Sequence, residues 1–175
     1  MFTKNWYSAV YSAFTQTKLT HVTMDGTERV TSVDRNGVIT PALNGDTYYY
    51  APLGKVQKEL TSYGGVIFGT GNTPAQITDV ALSGELVTTF TSSYSIATRV
   101  DNDEIVLEAL YTLTNTGSDP ITIGEVGMIA NLTSSSAHDK YKALLERTAL
   151  ESPITIPVGG VGQVIYTIRM NYPMA

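Results

Sequence analysis

The chain opens in a helical rhythm and then changes to a strand rhythm. Trp6, Val10, Ala13 and Phe14 recur at i, i+4, i+7 and i+8, which puts them on one apolar stripe of a helix. Tyr7 and Tyr11 lie beside the stripe and widen it, and Thr3 or Asn5 is placed to cap its start. The pattern predicts an N-terminal helical arm over residues 1–17. Two roles fit such an arm. It packs on the edge of its own domain, or it docks on a neighbouring subunit with Trp6, Val10 and Phe14 as the anchors, aromatic anchors being common at interfaces. Removing residues 1–17 separates the two: a docking arm leaves a folded, soluble remainder, and a core helix does not.

Beyond residue 17 the period shortens. Residues 19–24 and 27–33 are strand-like runs around Asp25-Gly26, a strong hairpin signal in which both turn positions are expected at positive φ. Arg35-Asn36-Gly37 supplies another turn. Pro41, Asn44-Gly45, Pro52, Gly54 and Gly64-Gly65 then punctuate residues 38–65 every few positions. Long irregular stretches inside compact domains are often interaction loops, so 38–65 is read as an interaction segment with Tyr48, Tyr49 and Tyr50 as its candidate contacts. Residues 66–68 form a short apolar strand, 69–74 a turn, 77–82 a connection or helical turn, and 86–100 one long strand or two bent ones. Asp101-Asn102-Asp103 turns the chain. Ile105, Leu107, Ala109, Tyr111 and Leu113 then alternate with Glu104, Val106, Glu108, Leu110 and Thr112, a period of two with one face more apolar. Further strands are expected over 121–130, 143–150, 154–157 and 164–170, with Gly124 and Gly127 permitting a bulge or a close approach. The polar run 131–139 is expected as an exposed loop. The predicted fold is mainly β: a single antiparallel β-sandwich over residues 18–175, Ig-like or jelly-roll-like, with a short N-terminal α-helix.

Composition agrees with this pattern and removes several classes. Of 175 residues only 15% are charged, and about one in seven is threonine, which suits pleated, half-exposed surfaces. There is no cysteine, so disulfides and thiolate metal sites are excluded. The net charge is -5 and the 11 basic residues are scattered, Lys140, Lys142 and Arg147 being the nearest approach to a cluster, so nucleic-acid binding is not expected. No apolar run approaches the roughly 18 residues of a membrane helix, and no polybasic anchor is present. Asn5, Ser8 and Ser12 break the apolar run a signal peptide needs.

No motif selects a reaction. His21 and His138 are far apart, with no zinc-ligand spacing. Ser134, Ser135, Ser136, His138 and Asp139 bunch in one polar loop, whereas a working triad is assembled from distant segments that orient one another. Asp101, Asn102, Asp103 and Glu104 lack the pattern of a calcium loop and suit a hairpin turn. Gly69-Thr70-Gly71 is not followed by the lysine of a phosphate loop, and Gly159-Gly160-Val161-Gly162 opens no helix. Glu85, Glu104, Glu108, Glu125, Glu146 and Glu151 offer no selected carboxylate pair for glycoside hydrolysis and read mostly as solvent-side strand residues. No catalytic residue, cofactor or metal site is predicted.

One resemblance remains. Gly65-Val66-Ile67-Phe68-Gly69-Thr70-Gly71-Asn72-Thr73-Pro74 followed by Asp79-Val80-Ala81-Leu82, then Tyr111 to Gly117, Ile121 to Met128, Leu144-Leu145-Glu146-Arg147-Thr148, Ile154 to Gly160 and the final strand Val164 to Ile168 form an ordered series. This series resembles small virion structural proteins of tailed bacteriophages over about residues 65–170. The resemblance implies a non-enzymatic protein that assembles in many copies with other virion proteins, as a head-decoration, head-fibre, neck or tail component, with decoration favoured. It implies a homo-oligomer located in the virion and assembled in the cytoplasm of a bacterial host. The alternative is a carbohydrate-binding or adhesin module of a tail fibre or cell surface, which needs an exposed aromatic strip such as Tyr48, Tyr49, Tyr50 and Tyr63.

Overall fold

The structure, a computed structural model, describes residues 1–7, 20–30, 56, 58, 65–101, 104–133 and 140–171. Among these the fold is mainly β and antiparallel, with one short helix near the N-terminus, the class the hydrophobic pattern predicts. The strands are β1 (Thr20–Val22), β2 (Glu28–Val30), β3 (Gly65–Gly69), β4 (Phe90–Asp101), β5 (Glu104–Asn115), β6 (Ile121–Thr133), β7 (Lys140–Ile156) and β8 (Val161–Asn171). They form a hairpin β1-β2 and two three-stranded sheets, β3-β6-β7 and β4-β5-β8. Two compact units result. Unit 1 comprises residues 1–88 and 123–153, and unit 2 comprises 89–122 and 154–175.

In unit 1, β3 is buried along its whole length and β6 is buried from Ile123 to Ala130. Buried runs of this kind, apolar except for Glu125, are what a sheet covered on both faces requires. Ile67, Ile129 and Leu144 form a core cluster against which Met24, Leu82 and Leu86 pack. The first residues of the chain belong to this unit. Phe2 bridges Glu146 in antiparallel fashion, the Thr3 amide donates to the Leu145 carbonyl (2.9 Å), and the Arg147 amide donates to the Met1 carbonyl (3.0 Å). A helical turn over 4–7 follows, with the Trp6 amide donating to the Thr3 carbonyl (3.0 Å). Thr3 thus stands at the cap position, but its hydroxyl donates instead to the carbonyls of Leu144 (2.6 Å) and Leu145 (3.1 Å). The remainder of the predicted 1–17 helix lies outside the described residues.

The hairpin at Asp25-Gly26 is present with a different turn. Strand pairing continues to Thr23, whose amide donates to the Thr27 carbonyl (2.9 Å), so the loop holds three residues. The Gly26 amide closes back on the Thr23 carbonyl (2.9 Å), and Gly26 takes φ 82°. This is the three-residue form in which a turn is followed by one left-handed residue. The Asp25 carboxylate accepts from the Thr27 amide (3.0 Å) and the Thr23 hydroxyl, which fixes the loop locally. Two further expectations merge: the strands anticipated at 143–150 and 154–157 are one continuous β7 that runs through Pro153.

In unit 2, β4 and β5 pair from Phe90 opposite Asn115 to Asp101 opposite Glu104, and β5 pairs with β8 from Thr114 opposite Val161 to Glu104 opposite Asn171. Neither ladder contains a bulge, so side chains alternate strictly between two faces.

Candidate functional site

Glu125 stands alone as a charge within the apolar strand β6, and it is fully buried (0% exposed). It lies two residues from Gly127 on the same face, where the core gives way to the loop of residues 70–85. That loop is built around it. Glu125 Oε1 accepts from the amides of Gly71 (3.1 Å) and Gly84 (2.7 Å), while Oε2 accepts from the Ser83 amide (3.0 Å) and hydroxyl (3.1 Å). Oε2 also takes the Nε of Arg147 at 2.6 Å. Arg147 is buried as well. Its Nη1 reaches Asp79 Oδ2 (2.7 Å), and its Nη2 donates to the carbonyl (2.8 Å) and hydroxyl (3.1 Å) of Thr73. One strand residue thus holds both ends of the loop, and a second holds its middle.

Glycine makes this closeness possible. A Cβ on Gly71 would collide with Ser83 and the Gly84 backbone, one on Gly84 with the Gly71 backbone, and one on Gly124 with the Gly71 carbonyl. Backbone lies directly on backbone here, the close approach anticipated at Gly124.

The electrostatics follow from the partners. Burial pushes the Glu125 carboxyl up, but the donors Ser83, Arg147 and Gly84 and the Arg147 charge outweigh it and leave it below its ordinary value. Burial pushes Arg147 down, and its bonds to Glu125 and Asp79 more than restore it, so the pair stays ionised. An ion pair without water needs its remaining lone pairs and protons satisfied, or desolvation defeats it. The carboxylate of Glu125 meets that requirement through five donated bonds from its loop and from Arg147. The chemistry of this cluster is therefore that of a clasp.

Unit 2 holds a neutral counterpart. Asn115, buried at the end of β5, donates through Nδ2 to the carbonyls of Asp119 (2.8 Å) and Ile156 (3.1 Å) and accepts from the Gly117 amide (2.8 Å) through Oδ1. Its main chain exchanges bonds with Gly160 (2.9 Å) and Gly159 (3.1 Å). One amide side chain ties the 115–120 turn to the 157–160 turn, where Gly159 adopts φ 69°.

The sheet β4-β5-β8 has two unlike faces. One carries cross-strand ion pairs, Arg99–Glu108 (2.5 Å) and Arg169–Glu104 (2.8 Å). Val106 sits between Arg99 and Arg169 in the register and is fully buried, while the two arginine heads reach the glutamates. The expected alternation holds from Ala109 to Asn115, where every second residue is buried, and departs only at the start of β5: Val106 is covered, and Ile105 on the more apolar face is 37% exposed. That other face has no charged residue on any of the three strands between Phe90 and Val100, Ile105 and Asn115, or Gly162 and Met170. At one end it is buried by Phe90, Tyr111, Leu113 and Val164, with Ile156 against Gly162. Burial there, with Tyr94 adding, raises the Tyr111 phenol. At the other end Val100, Ile105 and Met170 lie open, and along β4 so do Ile96 and Tyr94, although they stand opposite the buried Ala109 and Tyr111 of β5.

The residues singled out in the sequence distribute as follows. Trp6 is half-buried and stacks on Phe2, with ring centroids 4.6 Å apart and an interplanar angle of 18°. Val10, Phe14, Tyr48, Tyr49, Tyr50, Tyr63 and the 134–139 group lie outside the described residues. Glu104 and Glu108 face solvent in their arginine pairs, and Glu85 and Glu151 are exposed. Glu125 and Glu146 are not the solvent-side residues they were read as. Glu146 Oε1 takes the Met1 ammonium (2.5 Å) and the Thr148 hydroxyl (2.6 Å), while Oε2 has no hydrogen-bond partner. Arg147 is equally not part of a surface basic cluster. Lys142 is half-buried with its Nζ lacking a hydrogen-bond partner, and burial lowers its pKa. Asn5, read as a cap, is a buried bridge: its Nδ2 donates to the Val22 carbonyl (2.7 Å) and its Oδ1 accepts from the Val22 amide (3.0 Å). Among the described residues, no three His, Asp or Glu side chains gather to hold a metal ion, and no helix is long and apolar enough to cross a membrane.

Comparison with known proteins gives no match: no protein-family model fits the chain, and no curated protein or solved structure matches it.

Proposed function

We propose that this protein is a non-enzymatic structural component that works by assembling in multiple copies, as the resemblance to tailed-phage virion proteins implies, with a position on the head favoured over neck or tail. The observation that carries this reading is the uncharged apolar face of β4-β5-β8, open at the end where β4 meets β5. Apolar side chains of this size left in water side by side mark protein contact surfaces. A second support is the fate of the residues in the resemblance. Gly71, Thr73, Asp79, Glu125, Arg147, Asn115 and Gly117 all hold loops to strands within their own unit, so what they specify is fixed loops, which suit repeated docking. The low charge fraction keeps repulsion between neighbouring copies small.

The test is direct. Particles released by a bacterium carrying the gene are purified and their proteins quantified by mass spectrometry. Many copies of this chain per particle support the reading. Particles without it refute it.

A further inference from the structure

We infer that the open end of the apolar face pairs with the same face of a second copy of this chain, across a twofold axis. This rests on the assembly reading above and names the partner. The surface comprises Tyr94, Ile96 and Val100 on β4, Ile105 on β5 and Met170 on β8, between 37% and 69% exposed. The register places them together: Val100 and Met170 both stand opposite Ile105 on its two flanking strands, and Ile96 and Tyr94 continue along β4.

Three observations choose the occupant. The face carries no charge, so it offers nothing to a nucleic acid, an acidic peptide or a lipid headgroup. Its complement is another uncharged, apolar sheet surface, and this chain presents one. A twofold contact is self-complementary by construction, each residue meeting its partner's counterpart set. The opposite face is unsuited to the same role, because its Arg99–Glu108 and Arg169–Glu104 pairs would be stripped of water. The choice of face is thereby fixed. The open side chains amount to on the order of 400 Å² per copy, within the range of the largest apolar patch on a monomer, which is often functional, and short of the ~800 Å² per partner of a stable complex. A single contact of this size is therefore expected to be weak and to persist in an array through multiplicity.

The experiment is sedimentation of the full chain from ~5 µM to ~1 mM, comparing the wild type with Val100→Glu and Ile165→Glu. Val100 and Ile165 are equally exposed, 69% and 67%, but stand on opposite faces. Thermal unfolding checks that each variant folds, and Met170→Glu supplies a second lesion on the same face should Val100→Glu fail. The expected result is a monomer–dimer equilibrium in the wild type, unchanged by Ile165→Glu and weakened at least ~tenfold by Val100→Glu. A wild type that stays monomeric throughout overturns the inference, as does a Val100→Glu protein that dimerises like the wild type. A monomeric chain that is nonetheless abundant in particles overturns self-pairing alone. Absence from particles overturns the assembly reading, whatever sedimentation gives.

Discussion

Unit 1 buries charge, and unit 2 exposes apolar surface. In unit 1 a carboxylate and a guanidinium are withdrawn from water, and each is given partners: the Glu125 oxygens take loop amides and Arg147, and Arg147 reaches Asp79 and Thr73. In unit 2 the sheet is amphipathic, and its apolar face is covered at one end by residues such as Ile156 and left open at the other. The first arrangement stabilises only when complete, since a half-satisfied ion cluster is worse than none. The second costs the isolated chain little and gains only on contact. Stability and association thus fall on different residues, and substitutions can separate them.

The clasp should give the largest effect. Glu125→Ala leaves Arg147 buried without its main partner and is expected to lower stability by about 3–5 kcal/mol, read as a shift in the urea midpoint. In the double variant with Arg147→Met the losses should be strongly non-additive, because the two groups share one network. The clasp also predicts a pH dependence. Glu125 titrates lower when folded than when unfolded, so its contribution is whole above the unfolded value of about 4.3 and is lost as pH falls through the folded value. Glu125→Gln should flatten that acid limb relative to the wild type.

Removing residues 1–7 comes next. Thr3 and Asn5 satisfy main-chain groups of Leu144, Leu145 and Val22 in a buried setting. Their loss should cost about 2–4 kcal/mol, visible as a lowered thermal midpoint. A truncated chain of unchanged stability would return this segment to the role of a pure docking arm. Asn115→Ala in unit 2 strands the Gly117 amide and the Ile156 and Asp119 carbonyls, at a cost of about 1–3 kcal/mol. At the bottom of the scale, Val100→Ser should change folding stability by no more than about 0.5 kcal/mol, measured by chemical denaturation, while weakening association. A large loss there would mean that the open face is core to the folded chain, and the contrast between the units would fail.

The strand pattern was legible because its cause is local. Alternation, turn residues and the Asp25-Gly26 signal all act within a few positions, and the mainly β fold follows from them. The departures have tertiary causes. The hairpin at Gly26 gained a third loop residue because Asp25 bonds its neighbours. Val106 is buried on the polar face, where its register neighbours Arg99 and Arg169 come from two other strands that no window of β5 contains. Glu125 and Arg147 were visible as a resemblance but not as a pair, since 22 positions separate them. A signal did exist for Glu125: it is the single charge inside a stretch otherwise apolar enough to be covered on both faces, where an unpaired charge is not tolerated. Arg147 gave none, because it stands beside Glu146 on a strand that carries several charges.

Amide hydrogen exchange on the full chain at two protein concentrations, ~10 µM and ~1 mM, tests the division most directly. The predicted result is slow exchange at Gly71, Ser83, Gly84 and along β6 at both concentrations, with β4 residues 94–100, β5 residues 105–107 and the end of β8 gaining protection only at the higher one. Exchange at the open end of the β4-β5-β8 sheet that ignores concentration, or protection at the clasp that rises with it, would contradict the assignment of stability to unit 1's buried ion cluster and of association to unit 2's open face.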